Sequence, residues 1–417
     1  MPGSSAAPPG FSEHDPAGLA HYLLSFRWPW RDRDAECQAV DDGLPLWRQI
    51  LALVPQPAAR GRALEIGSPP FHVTLLLQRL RNYDMTLTAY ATDGRTHMSH
   101  ELDSPEYGEH YTFRCTCFDI ERDPFPYPDG AFDLVIWCEV IEHLTENPVH
   151  ALGEIHRVLR PGGQLVVSTP NVTRCGNITG LLRGRNIYDP YHLGTPLGGS
   201  RHSREYTLRE LRDLVAGCGF SVERAEARDL TPPAGVAQRL FRTFMYRMVA
   251  SLTGATYQAH LFLRAVRTTA QPRAHFPPWL FAPAHLMLHS APLGTRVVMG
   301  ENDGGHTTFG WDAVRSDPSG VRWRRAADTA DVYLLSAGPL RRVTVTLARG
   351  RGEVQVWHDS PGEPAVLLSS TAFEAGDEWC DVDVRLSTDY EPGRRLHVRF
   401  DVPGGVDVRT VAAHQSI

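Results

Sequence analysis

The most informative pattern of apolar and polar positions runs from Phe132 to Asn171. Leu134-Val135-Ile136-Trp137 is a short apolar run of the kind buried on both faces of a sheet. Ala151, Ile155, Val158 and Leu159 then recur at helical spacing until Pro161-Gly162-Gly163 stops the pattern. A second apolar run, 164–168, ends at Thr169-Pro170-Asn171. Strand, helix, turn and strand make one βαβ unit, so the sheet is at least partly parallel. Sheets of this kind bind ligands beyond the carboxyl ends of their strands. Polar residues gather at both such ends here, in CEVIEHL (Glu139, Glu142, His143) and in STPN.

Further strands are predicted at 62–66, 85–91, 111–118, 221–229 and 260–267, and helices at 44–53 and 72–80. Thr207 followed by Glu210 reads as a capping box opening another helix. The segment 235–252 is amphipathic, with Leu240, Phe241, Phe244, Met245 and Met248 apolar and Arg239, Arg242 and Arg247 basic. Such a face packs against a neighbouring domain or lies on a membrane surface. From about residue 296 the period changes to two, as in Val343, Val345 and Leu347, which points to an antiparallel β-sandwich. Four regions follow: a flexible tail and lid segment (1–40), an α/β domain (41–270), a proline-rich linker (271–295) and the β-sandwich (296–417).

Composition narrows the function classes. A net charge of −6 leaves no overall nucleic-acid footprint, and the basic residues are all arginine. The seven cysteines are scattered without a CxxC pair, so no metal site or disulfide framework is expected and a reducing cytoplasm is favoured. Neither a signal peptide nor an apolar run long enough for a membrane span is found. Trp311, Trp323, Trp357 and Trp379 either fill the C-terminal core or form a sugar-stacking face.

FPYPDGAFDLVIWCEVIEHL and EIHRVLRPGGQLVVSTPN, in that order and spacing, resemble the centre of a class I S-adenosylmethionine-dependent methyltransferase. The likeness is to the small-molecule type that includes quinone-biosynthesis enzymes. It extends less densely from about residue 63 to about 268 and leaves the C-terminal third uncovered. It implies a doubly wound, mostly parallel, seven-stranded Rossmann-like α/β sheet with S-adenosyl-L-methionine as cofactor. Carried over residue by residue, it puts Glu65 and Gly67 at the cofactor loop. The family usually has GxGxG there, but this chain reads Gly67-Ser68-Pro69-Pro70. Asp93 matches the acid that accepts the ribose hydroxyls, the alternative being a strand-end turn residue. Asp119 and Ile120 match the pair that meets the adenine amino group and ring. Glu139 and Val140 fall beside the sulfonium, and helices such as 44–53 cover the substrate pocket in the family.

The stretch 174–206, with Tyr188, His192, Arg201, His202 and Arg204, lies where a substrate lid would sit, and RHSREYT resembles methyltransferases of polysaccharide and glycosylation pathways. His143, His192 and His202 are the candidate bases; His143 could equally cap a turn. The expected activity is therefore O-methylation of a sugar, nucleotide-sugar or glycan-linked metabolite. A natural-product methyltransferase and a non-catalytic cofactor-binding scaffold remain as alternatives, the second because of the altered loop.

Overall fold

The computed structural model describes residues 10–415 apart from 30–31, 92, 146–147, 191–200, 269–294, 302, 304–305, 308–309, 336–338, 359–364 and 391–394. The linker expected at 271–295, apart from Thr295, and His192 therefore lie outside the described residues. Two helices open the chain, α1 (Pro16–Leu24) and α2 (Arg33–Leu53). An α/β region follows: β1 (Gly61–Glu65), α3 (His72–Leu80), β2 (Tyr83–Ala89), β3 (His97–Ser104), β4 (Glu109–Cys117), β5 (Phe132–Cys138), α4 (Pro148–Val158), β6 (Leu159–Pro170), α5 (Cys175–Leu182), α6 (Leu208–Gly217), β7 (Phe220–Arg228), α7 (Val236–Phe244), α8 (Ala250–Thr253) and β8 (His260–Arg267).

The sheet order is β3-β4-β2-β1-β5-β6-β8-β7. The five strands from β4 to β6 are parallel, while β3, β7 and β8 join antiparallel. The sheet thus has eight strands rather than seven. The extra strand, β3, pairs at the edge with β4, and its sequence HMSHELDS is too polar to announce a strand. Helices cover both faces, and apolar clusters lie on each side of the sheet. The capping box forms: the Glu210 amide donates to Thr207 Oγ1 at 3.2 Å and the Thr207 amide to Glu210 Oε2 at 2.8 Å.

The N-terminal tail is shorter than expected. Asp15 caps α1, and Leu19, Tyr22 and Leu23 are fully buried. The Tyr22 hydroxyl donates to Glu109 on β4 at 2.7 Å, so α1 belongs to the core. The helix expected at 44–53 begins earlier, at Arg33, and continues through Pro45.

Strands β9 (Arg296–Val298), β10 (Arg315–Ser316), β11 (Arg322–Ala326), β12 (Thr329–Leu335), β13 (Leu340–Ala348), β14 (Gly350–His358), β15 (Val366–Ala375), β16 (Cys380–Tyr390), β17 (Arg395–Asp401) and β18 (Val406–Gln415) form two antiparallel sheets. One runs β10-β11-β18-β13-β16 with β9 on β18; the other runs β12-β17-β14-β15. Val343, Val345 and Val411 of the first share one apolar core with Val354, Val398 and Phe400 of the second. Trp311 belongs to that core, its indole N–H donating to Asp331 O at 2.9 Å. Trp323 and Trp379 meet edge to face at 5.9 Å beneath the Arg349 guanidinium.

The two regions touch through charge. Every residue of α4 is buried, including Glu154, which pairs with Arg157 at 2.7 Å and with Arg324 of β11 at 3.2 Å. Arg324 also pairs with buried Asp303 at 2.7 Å. The segment 235–252 carries two apolar sides. Met245, Phe241 and Val249 pack against Cys175 and Tyr257, whereas Val236, Leu240, Phe244, Met248 and Leu252, four residues apart, are exposed. One side of the segment therefore packs within the α/β region itself rather than against a neighbouring domain, and the other side is exposed.

Candidate functional site

The carboxyl ends of β1, β2, β4, β5 and β6 all lie at one edge, because these strands are parallel. A cleft of about 150 Å³ opens there, walled by Leu46, Trp47 and Ile50 of α2 and floored by Glu65, Gly67, Ile136 and Glu139. Sites for molecules of drug size are typically about 300–1,000 Å³. The cleft is therefore smaller than an adenosyl-sized molecule needs, with helix α2 forming one wall. The helix is pinned by His72, which bonds Glu36 at 2.6 Å and stacks on Trp47 at 4.2 Å between ring centres.

The loop after β1 uses up its own donors. The amides of Gly67 and Ser68 bond Thr88 Oγ1 (3.3 Å) and Thr88 O (2.9 Å), the Phe71 amide bonds Ser68 O (2.8 Å), and residues 69 and 70 are prolines. Gly67 has φ +75°, and a Cβ there would meet Val140 Cγ2 at 2.6 Å. The glycine is thus required by the approach of Val140, in a conformation that side chains resist. Holding a ligand falls to carboxylates and apolar walls.

Those carboxylates are strained by burial. Burial pushes the Glu65 carboxyl up to about 8, against a hydrogen bond from Thr74 Oγ1 at 2.5 Å. Burial likewise lifts Glu139 to about 7, although Ser168 Oγ donates to it at 2.7 Å. Neither is paired with an arginine among the described residues. Glu139 also has φ +54°, set by the tight exit from β5.

Asp93, Asp119, Ile120 and Val140 lie outside the cleft lining. Asp93, four residues past the end of β2, is 51% exposed and held by Arg95, whose hydrogen bonds lower its pKa. Asp119 follows β4, half-buried; burial raises its pKa, and it accepts the Glu121 amide at 2.9 Å. Ile120 packs against the core on the α4 face.

Beyond β5 a short 3-10 turn, Ile141–His143, carries Glu142 and His143. His143 Nδ1 lies 3.1 Å from the carbonyl of Arg201, and the His143 and His202 rings meet edge to face at 5.1 Å. Burial lowers the His143 pKa, whereas the bond to Glu205 raises that of His202. The Ser203 and Arg204 amides donate to Glu142 O at 2.7 and 3.1 Å, which ties 201–206 to the turn. Two supports were not legible in the sequence as site residues, Thr74 under Glu65 and Thr169 under Glu142. Only the position of STPN at a strand's carboxyl end signalled the second.

A mostly parallel α/β sheet with carboxyls and an apolar wall at its carboxyl edge is a Rossmann-like frame, and the comparisons with known proteins concern that part of the chain. Residues 64–167 match the family described as Methyltransferase domain. A protein of Mycolicibacterium smegmatis described as a probable S-adenosylmethionine-dependent methyltransferase is 39% identical over 98 residues, 24% of this chain and 32% of that protein. The polyketide synthase-like protein Preu9 of Preussia isomera is 30% identical over 132 residues, 30% of this chain and 6% of that protein. Among solved structures, an S-adenosylmethionine dependent methyltransferase from Mesorhizobium loti is 16% identical and covers 54% of this chain and 99% of that one, with a TM-score of 0.35. The chain spans about a third or less of the curated relatives it matches. The match covers residues 64–167, about a quarter of the chain, and S-adenosylmethionine is the cofactor that this methyltransferase-domain match implies. The donor set fits a cationic cofactor, since buried Glu65 and part-exposed Glu139 have no arginine partner among the described residues, Glu139 having only His260 at 3.8 Å.

Proposed function

We propose that the protein is an S-adenosylmethionine-dependent O-methyltransferase acting on a sugar, nucleotide-sugar or glycan-linked metabolite. The observation that carries the activity is the coincidence of the methyltransferase-domain match with a cleft floored by Glu65 and Glu139. The cofactor supplies an electrophilic methyl group on a sulfonium. Glu65 and Glu139 favour that cation by simple attraction in a dry site. Asp93 and Asp119 are the proposed ribose and adenine acceptors. For Asp93 this requires release from Arg95. Leu46, Trp47 and Ile50 exclude water, so most of the rate comes from aligning the acceptor oxygen with the bond that breaks.

His143 is the best-supported base among the described residues. A backbone carbonyl only accepts, so the bond to Arg201 O keeps the proton on Nδ1 and leaves Nε2 free to take one. His202, bound to Glu205, ranks second. The arginines and tyrosines of 174–206 suit a hydroxyl-rich or phosphorylated acceptor. The exposed stripe at Val236, Leu240, Phe244, Met248 and Leu252 supports peripheral contact with a membrane surface, and no helix among the described residues is long and apolar enough to cross one.

A second reading is favoured by the polyketide synthase-like relative, namely methylation of a natural-product scaffold. Incubating the full chain with S-adenosylmethionine and panels of both acceptor classes tests the choice. Release of S-adenosylhomocysteine with nucleotide sugars supports the first reading, and release only with polyketide-like acceptors supports the second. Binding without turnover on any acceptor points to a scaffold.

A further inference from the structure

Beside the cleft, three side chains of ligand chemistry converge. Glu142, His143 and His202 each bring one ligand atom to within 4.8 Å of the others. The carboxylate is only 1% exposed. Its Oε2 accepts from Thr169 Oγ1 at 2.9 Å, while Oε1 has no hydrogen-bond partner among the described residues and lies 4.0 Å from His143 Nε2. A buried carboxylate oxygen left bare is a costly arrangement unless something else occupies it.

Both imidazoles are oriented from behind. His143 Nδ1 faces the Arg201 carbonyl at 3.1 Å, and His202 Nδ1 faces Glu205 Oε1 at 3.0 Å. Each acceptor holds the proton on Nδ1, which leaves the Nε2 lone pair of both rings free. Metal-binding histidines are oriented in this way, with the second nitrogen bonded to a carbonyl or carboxylate. Glu205 is in turn held by Arg174 and Asn177, so the support is itself braced.

We propose that Glu142, His143 and His202 form a binding site for a divalent first-row transition metal, with open positions that take the acceptor hydroxyl. Two imidazoles and a carboxylate suit borderline ions such as Zn²⁺, Co²⁺, Mn²⁺ or Fe²⁺ rather than soft thiolate-seeking ones. Such an ion holds its ligands at about 2.1 Å, so the three atoms draw inward on binding. A hydroxyl on the ion becomes far more acidic. In the transfer, the oxygen forms its bond to the methyl carbon as the carbon–sulfur bond breaks. The sulfur keeps that electron pair and becomes a neutral thioether, and the hydroxyl proton leaves to solvent. This inference rests on the O-methyltransferase reading and gives His143 the part of a ligand in place of a base.

The test uses the full chain, freed of metal by chelation and titrated with CoCl₂. One equivalent of Co²⁺ should bind, with the visible absorption of a nitrogen- and oxygen-ligated ion. His143→Ala and His202→Asn should each weaken it at least about 100-fold, and Glu205→Gln, a positioning variant, about 10–100-fold. The helical circular dichroism signal and S-adenosylhomocysteine affinity should stay unchanged in these variants, which separates loss of the site from loss of fold. Absence of saturable Co²⁺ binding, or binding undiminished in both histidine variants, overturns the proposal. Turnover that persists in the chelated protein overturns its catalytic part. Co²⁺ binding without any S-adenosylhomocysteine binding upholds the metal site and sinks the methyltransferase reading instead.

Discussion

Replacing Glu65 by Gln isolates the electrostatics of the cofactor cleft. In the folded protein burial holds the Glu65 carboxyl protonated up to about pH 8, whereas the unfolded chain ionises it near the ordinary value of 4.5. Between those two values the folded state binds the extra proton, so stability falls as pH rises. Each pH unit is worth about 1.4 kcal/mol, which makes the loss about 3 kcal/mol between pH 4.5 and 7 and about 5 kcal/mol by pH 8. Gln keeps an oxygen for the Thr74 hydroxyl and does not titrate. The variant should therefore match the parent near pH 4.5 and exceed it progressively toward pH 8. Urea denaturation followed by the helical circular dichroism signal reads this out, because the helices among the described residues all lie before residue 254. Other titrating groups cancel in the difference between the two proteins. A difference that does not change with pH would refute the reasoning, since the carboxyl would then ionise freely in the folded state. Cofactor binding gives a second reading of the same group. Parent affinity for the cationic cofactor should climb with pH up to about 8, as the carboxyl ionises against the bound charge, and the variant should lack that climb.

Asp119→Ala should weaken S-adenosylhomocysteine binding by about 1–3 kcal/mol, and Asp93→Ala by less, because Asp93 is exposed and already bound to Arg95. Calorimetric titration checks both, and unchanged affinity in both ends the adenosyl assignment. His143→Ala should lower turnover about 10²-fold or more while cofactor affinity holds. Full turnover in both His143→Ala and His202→Ala would mean that positioning alone drives transfer. Arg324→Ala strands buried Asp303 and should cost about 3–5 kcal/mol in urea denaturation. A chain ending at residue 268 loses Arg324 and Asp303 together, keeps Arg157 on Glu154, and should still bind S-adenosylhomocysteine; failure to bind would mean the two regions depend on one core.

Much of the α/β frame was legible because its signal is local. The apolar run 134–137 and the helical spacing from Ala151 to Val158 sit close together, and β5 and α4 follow; β6, however, already begins at Leu159 and runs through Pro161-Gly162-Gly163, which the sequence pattern reads as a turn. Strand β3 was missed because its inward positions carry only two apolar residues, Met98 and Leu102, among polar neighbours such as Ser99 and Glu101. Helix α1 hid behind a proline- and glycine-rich start, although Leu19, Tyr22 and Leu23 fill the core under β4. The altered loop after Gly67 drew attention to missing amides, yet its glycine answers to Val140, a contact between strand ends that only the fold brings together. The pairing of His143 with His202 has the same character. The two lie 59 residues apart, and nothing near either residue announces the other.

Three buried glutamates and the part-exposed Glu139 separate structure from function more sharply than sequence position does. Glu154 is buried like Glu65 and Glu142, yet Arg157 and Arg324 hold its carboxyl down to about 2 against that burial. It has resident cations, its charge is satisfied, and it lies in α4 beneath the C-terminal sheets. Glu65, Glu139 and Glu142 have no arginine among the described residues, and burial pushes them up to about 8, 7 and 8. A fold selected for stability alone would replace such groups, because an unpaired buried acid either loses its charge or destabilises the protein. All three stand at the carboxyl edge of the sheet, two on the floor of the cleft and one in the turn beside it. Their burial becomes favourable only when a positive charge arrives from outside the chain. Among the described residues only histidines stand near two of these acids, His260 by Glu139 and His143 by Glu142. In the proposed function the missing charge is supplied by a sulfonium cofactor, so that the acids without an arginine, and not the acid with two, mark the proposed site.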